Sequence, residues 1–215
     1  MNASVLQAIP HILAAIGATL VLVGVSLFLS TVLGALLTPA AASRFRVVRL
    51  VIGGYSWLGR ALPPLTLLIS AYYGLSFVGV NTNQMVSAIG AFVFFATAYN
   101  IEIFRAAYKA VPLGQFEAAR ALGISTTRLQ LGVILPQVAR LAAPAYISNA
   151  TIVLKDSSLA SVVGVLEITA VTVRAVQADP DASLTLFSFL ALIYLVLGSV
   201  LLSLEMFVDR HVKRA

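Results

Sequence analysis

The 215-residue chain has no cysteine. Disulfides, thiolate metal sites and cysteine nucleophiles are excluded with it. Histidine is almost missing: only His11 and His211 occur, each near a terminus, which gives no basis for a histidine metal centre or catalytic base. Charge is scarce as well. Charged residues make up 10% of the chain, against about a quarter in soluble domains. There is no G-x-x-x-x-G-K-[ST] phosphate loop, no H-E-x-x-H, no G-x-S-x-G and no pair of catalytic aspartates. The expectation is a non-enzyme with no catalytic residue, metal or cofactor of its own.

Apolar residues are what the chain has in excess, at 60%. One soluble core could not hide that much apolar surface, and lipid as solvent removes the conflict. The chain therefore reads as a single all-α membrane domain over 1–215, a polytopic bundle of about five spans. The opening Met1–Leu13 lacks the basic region of a signal peptide, and its apolar stretch continues to spanning length. The net charge of +6 would suggest nucleic acid in a soluble protein. Here the cations flank apolar spans, so lipid and not nucleic acid is the expected partner.

The first span is expected over 16–37, ended by Pro39 and followed by Arg44, Arg46 and Arg49. A second stretch, 47–75, is interrupted by Gly53-Gly54, Gly59, Arg60 and Pro63-Pro64 and closes on Tyr72-Tyr73-Gly74. After the uncharged Asn81-Thr82-Asn83 comes a third span, 85–104, closed by Arg105 and Lys109. An apolar region over 141–173 is too long for one straight span and is interrupted by Lys155-Asp156-Ser157-Ser158. The last span is expected over 184–206. Gly17, Gly24 and Gly34 in the first span would permit close helix contact. Trp57 could anchor, pack or line a path.

Five spans with the N-terminus outside put 38–49, 105–140 and 209–215 on the cytoplasmic side. Those segments hold Arg44, Arg46, Arg49, Arg105, Lys109, Arg120, Arg128, Arg140, Arg210, Lys213 and Arg214. Only Arg60, Lys155 and Arg174 fall elsewhere, and the outer loop at 179–181 is acidic. N-out and C-in thus satisfies the positive-inside rule at every loop.

The one long charged amphipathic segment is Pro112–Pro136, P-L-G-Q-F-E-A-A-R-A-L-G-I-S-T-T-R-L-Q-L-G-V-I-L-P. Pro112 suits a helix start, and Glu117 lies in or near the first turn, where an anion is favoured. Ala118, Ala119 and Ala121 are strong helix formers. Gly123 fits the left-handed position that ends a helix. Ser125 or Thr126 can cap a second helix, which Pro136 is expected to end. The physics gives helix, glycine turn, helix, and is compatible with an ordinary connection lying on the membrane surface.

Glu117-Ala118-Ala119, Gly123 and Ile134-Leu135-Pro136, at this spacing, resemble the EAA loop of ATP-binding cassette (ABC) importer permeases. Further segments resemble the polar amino acid and opine branch of that family, the histidine, glutamine and arginine permease type. Ala98–Arg105 is similar to its AYxxExxR segment, Gly114-Gln115 to its GQ before the EAA residues, and Lys155–Leu159 to its KD[ST]SL. Arg60-Ala61-Leu62-Pro63 is similar to its RGTP, with Ala61 and Leu62 where the branch has Gly and Thr. The resemblance covers roughly 15–205. It implies a type I importer permease fold with five spans in the bacterial inner membrane. It implies pairing with a second permease, identical or paralogous, two ABC ATPase subunits that bind the ATP, and an extracytoplasmic solute-binding protein. The cargo implied is a polar amino acid or opine. The coupling helix that contacts the ATPase would comprise Gln115, Glu117, Ala118, Ala119, Leu122 and Gly123.

Charged residues within the apolar stretches are the candidates for the substrate pathway. A charge at membrane depth costs about 2.5 to 3.5 kcal/mol on insertion scales, so each needs an explanation. Arg60 reads either as a snorkelling or paired residue, with Glu102 or a carbonyl as partner, or as a contact for a substrate carboxylate. Glu102 has Tyr99 and Arg105 at helical spacing and reads as an Arg105 ion pair or as part of a gate. Lys155, Asp156, Ser157 and Ser158 form either an external loop or the polar turn of a broken helix facing a cavity. Such a turn offers an amino acid zwitterion both an anion and a cation. Glu167 and Arg174 extend this cluster or are solvated loop charges. A stand-alone channel or secondary transporter for small polar solutes is the competing class. It needs no ATPase and should move substrate alone.

Overall fold

The computed structural model describes residues 3–212, and its described residues contain helices and no strand. Lys213 and Arg214 of the expected inner tail lie outside the described residues. In chain order the helices are α1 (Ala3–Ala41), α2 (Arg46–Ala61), α3 (Pro64–Phe77), α4 (Gln84–Ala110), α5 (Leu113–Ala121), α6 (Thr126–Val163), α7 (Ile168–Ala178) and α8 (Ser183–Val212). Four of them, α1, α4, α6 and α8, are long and apolar enough to cross a membrane, and α3 is a shorter apolar helix.

The second apolar stretch is two helices, not one interrupted span. Pro63 lacks an N–H and its ring disfavours the helical region for the residue before it. Leu62 is accordingly extended (φ −82°, ψ 136°), and α3 restarts on Pro64. Two proline expectations fail elsewhere. Helix α1 starts well before Ile16, includes Pro10, and passes Pro39 to end at Ala41. Likewise Pro136 does not end a helix: α6 runs through it. A π-turn over Gln130–Ile134 precedes it, with Leu135 N–H donating to Gln130 C=O, so the helical ladder is already shifted where proline brings no N–H.

Helix α4 is central and touches α1, α2, α3 and α6. Its start is capped by Asn83, whose side chain accepts from Val86 N–H at 2.8 Å. A buried polar thread joins three helices. Asn100 on α4 donates to Ser30 on α1 at 3.2 Å, and Asn149 on α6 donates to Asn100 at 3.2 Å. Gly34 makes this approach possible, since a Cβ there would lie 2.7 Å from that of Asn100. Gly17 and Gly24 do not play the same part, because no atom lies within 4 Å of a Cβ built on either. Buried Phe92, Leu22, Leu68 and Ala160 pack between α1, α3, α4 and α6. A second cluster, with Ile12, Ile168 and Leu186, joins α1, α7 and α8.

Ser4 hydrogen-bonds to Asp179, so the start of α1 and the acidic turn between α7 and α8 share one end of the bundle. Helix α8 then runs 30 residues away from that turn, roughly 45 Å at 1.5 Å per residue. Helix α1 is longer still, and its far end lines one cavity with the end of α4 and Gln130 in the π-turn of α6. The connection carrying α5 is therefore at the end opposite Ser4 and Asp179.

Candidate functional site

Two places on this scaffold carry the candidate residues. The first is α5 and the turn after it. Pro112 is extended (ψ 136°) and sits just before the helix, one place earlier than a first-turn proline would. The helix ends on Gly123 at φ +66°, a conformation that side chains with a Cβ rarely adopt. Ile124 N–H donates to Ala119 C=O and Gly123 N–H to Arg120 C=O, each at 3.0 Å. These are the two bonds of a Schellman motif. The accompanying apolar contact is present too: Ala119 is buried in one cluster with Val111, Leu129 and Ile134, against which Phe116 and Ile124 pack.

Ala119 is turned inward, and beside it Gln115, Ala118 and Leu122, three and four residues apart, form one exposed side of α5. Leu113 and Leu122 are each 77% exposed, a lot of apolar surface for so short a helix. Glu117 is exposed, and with Lys109, Phe116 and Arg120 it lines a recess of about 420 Å³. The resulting surface is held from behind and unpartnered in front. Ser125 starts the next helix with extended backbone but makes no side-chain cap bond.

The second place is where the interrupted stretches meet. Arg60 is not at the middle of a continuous helix. It is exposed in the last turn of α2, and its Nε donates to Ser56 C=O at 3.0 Å. Glu102 pairs with Arg105, not with Arg60. Arg105 Nε reaches Glu102 Oε2 at 3.1 Å, with both side chains partly buried. Tyr99 lies against Phe95, ring centroids 4.8 Å apart, and packs on the cluster holding Val153 and Leu154. The structure thus brings Tyr99 to the stretch of α6 just before Lys155. Gly59 meets Ala98, which puts Arg60 and Tyr99 at the same level of the α2–α4 crossing.

Lys155-Asp156-Ser157-Ser158 is no external loop. Lys155 and Asp156 end the α-helical part of α6, and Ser157–Val163 continue it as a 3-10 helix. Nor does the helix break at the cluster. Ser157 Oγ donates to Leu154 C=O at 2.7 Å and Ser158 Oγ to Lys155 C=O at 2.8 Å. Hydroxyl bonds to carbonyls three residues back tighten the winding without ending it. The break comes at Gly164 (φ +90°). Lys155 is exposed, Asp156 half-buried, and neither forms an ion pair among the described residues. The 157–163 turn packs on α3 and α4, with Ala160 and Val163 in one buried cluster with Leu68 of α3. A cavity of about 810 Å³ lies instead near Arg105, Lys109 and Gln130, without Arg60, Tyr99 or the Lys155–Ser158 cluster.

Glu167 is the residue that sequence reasoning misjudged. It is fully buried, not a solvated loop charge, and it caps α7. Its Oε2 accepts from Thr169 N–H at 2.9 Å and its Oε1 from Ala170 N–H at 2.8 Å. Tyr194 on α8 donates to Oε2 at 3.1 Å. Its position just before Ile168-Thr169-Ala170 was the available signal, since acidic residues are enriched at helix starts, although Glu is outside the usual N-cap set. Arg174 is exposed.

The family described as "Binding-protein-dependent transport system inner membrane component" matches residues 30–214. A probable amino-acid ABC transporter permease of Bacillus subtilis, YckA, is 31% identical over 91% of this chain and 86% of its own length. The nopaline transport system permease NocM of Agrobacterium fabrum is 31% identical over 98% of this chain and 88% of its own. A crystal structure of an amino acid ABC transporter with histidines superposes with TM-score 0.88 at 27% identity, covering 98% of this chain and 100% of that one. The expected importer permease fold is the one observed.

Proposed function

The chain belongs to the family of inner membrane components of binding-protein-dependent transport systems, and from that premise we propose how it works as the permease of an amino acid importer. It is a single permease domain. It lies N-out and C-in in the bacterial inner membrane, with α5 in the cytoplasm. There α5 docks on an ABC ATPase subunit, which binds and hydrolyses ATP. A second permease, identical or paralogous, completes the passage, and an extracytoplasmic solute-binding protein delivers a polar amino acid or opine.

One observation carries this reading: the outward face of α5. The side chains of Gln115, Ala118 and Leu122 are exposed and make no hydrogen bond among the described residues, on a helix whose buried Ala119 and C-terminal turn are tightly held. A stand-alone channel has no use for such a face. For the passage itself, Lys155 and Asp156 are suited to a zwitterion, being opposite charges without an ion pair among the described residues. Arg60 and Tyr99 border the same region, and Glu102 with Arg105 lies one turn closer to α5.

Gly123→Val tests the coupling role. A β-branched residue at φ +66° strains the turn by about 1–2 kcal/mol. The variant should insert normally yet lose substrate-stimulated ATP hydrolysis and uptake in the reconstituted complex. Wild-type transport by a well-inserted variant would overturn the assignment. Orientation is testable because the chain has no cysteine. Cysteines introduced at positions 120 and 180 should react only from the cytoplasm and only from outside, respectively. The opposite labelling at 120 would end the docking reading.

A further inference from the structure

At the end of the bundle that carries α5, three of the long apolar helices do not close on one another. Between α1, α4 and α6 they leave the cavity of about 810 Å³, within the size range of sites that enclose a small molecule. Much of its wall is hydrocarbon, from Ala35 on α1, Phe104 on α4, and Leu135 and Val138 on α6. Its charged side is cationic. Arg105 and Lys109 line it, and among the described residues no Asp or Glu does. Glu102 pairs with Arg105, whereas Lys109 has no ion pair among the described residues, although Glu117 lines the neighbouring recess with it. The gap is braced: the Gln130 amide on α6 donates to the Tyr108 hydroxyl on α4 at 2.9 Å.

The elbow between α1 and α2 extends the cationic side. Ala42 lines the cavity, and the exposed Arg44, Arg46 and Arg49 follow it closely. No acidic residue precedes Glu102 in the chain. Exposed Phe45, Val47 and Leu50 alternate with these arginines, a composition suited to the headgroup region of a membrane.

We propose that this cavity binds an anionic phospholipid of the inner leaflet, with acyl chain against Ala35, Phe104 and Val138 and phosphate at Lys109. Basic pockets between membrane helices on the cytoplasmic side suit acidic headgroups, and a lysine stem can lie along apolar wall while its ammonium reaches the phosphate. A soluble anion would leave the hydrocarbon wall uncovered, and a lipid without net charge would leave Lys109 unbalanced. The choice of leaflet rests on the N-out, C-in reading, which labelling at positions 120 and 180 tests separately.

The test uses the complete complex, with ATPase and second permease, purified in detergent. It is titrated with phosphatidylglycerol or phosphatidylcholine, and bound lipid is counted by native mass spectrometry. The wild type should retain phosphatidylglycerol in preference to phosphatidylcholine. Lys109→Gln should weaken phosphatidylglycerol binding about fivefold, the effect of one cation beside an anionic surface. Lys109→Arg keeps the charge and should bind as the wild type does, which separates a lost contact from a damaged fold. Ala139→Phe fills the cavity from an exposed position in its wall and keeps both cations; it should also weaken binding. Arg210→Gln removes a cation near the far end of α8, outside the cavity lining, and should change nothing.

No preference for phosphatidylglycerol in the wild type would overturn the proposal. So would wild-type binding by Ala139→Phe, which would leave charge without a cavity, and an equal loss in Arg210→Gln, which would reduce the effect to general surface charge. Displacement of phosphatidylglycerol by excess inorganic phosphate would make this a soluble-anion site and overturn the lipid assignment.

Discussion

Two glycine turns in this chain start alike and end differently. At Gly123 (φ +66°) and at Gly164 (φ +90°) a helix stops in the left-handed conformation, and a new helix begins within four residues. After Gly123 the new helix starts on an exposed Ser125 whose side chain makes no cap bond. After Gly164 it starts on a fully buried Glu167 that uses both carboxylate oxygens. The difference is the solvent. Near water, free N–H groups have partners everywhere, so the sequence can spend its side chains on an outward face. In the interior each N–H needs a fixed partner, and the side chain that supplies it is no longer available to anything outside. An open turn suits docking, and a closed one suits holding a shape.

The largest effect should come from breaking the closed turn. Glu167→Ala leaves two backbone donors and the Tyr194 hydroxyl without their acceptor. Each such loss costs about 1–3 kcal/mol, so solubilised Glu167→Ala should lose roughly 3 kcal/mol or more against thermal unfolding. At the open turn the corresponding change should do little. Ser125→Ala removes no observed side-chain bond, and its effect should stay within about 0.5 kcal/mol. Comparable losses at the two positions would mean that burial does not separate them.

The sequence reveals the open turn far better than the closed one. Gly123 was legible because it follows three helix-forming alanines and precedes the Ser-Thr-Thr at which the next helix starts, all close together in sequence. The long apolar helices and the proline break at Pro63 were legible for the same reason: the cause lies within a few residues of the effect. The cap made by Glu167 had a local signal, but its bond with Tyr194 did not, because Tyr194 comes 27 residues later and nothing local says that the two meet. The continuation of α6 through Pro136 was hidden too, since a π-turn leaves no residue signature of its own. At Lys155–Ser158 the unusual composition was visible, but the serine bonds that keep the helix wound depend on backbone geometry. The proposed passage is the least legible part: within one chain Arg60, Tyr99 and Asp156 approach one region without bonding to one another.

The central claim is that the outward face of α5 exists for an ATPase partner. Leu122→Glu tests it most directly, since Leu122 is 77% exposed and its replacement disturbs no buried contact. The measurement is co-purification of the ATPase with tagged wild-type and Leu122→Glu permease, alongside the thermal unfolding of each permease alone. The account predicts unchanged unfolding and a loss of most of the bound ATPase, because a charge is placed in an apolar contact. Full retention of the ATPase by a normally folded Leu122→Glu variant would contradict it.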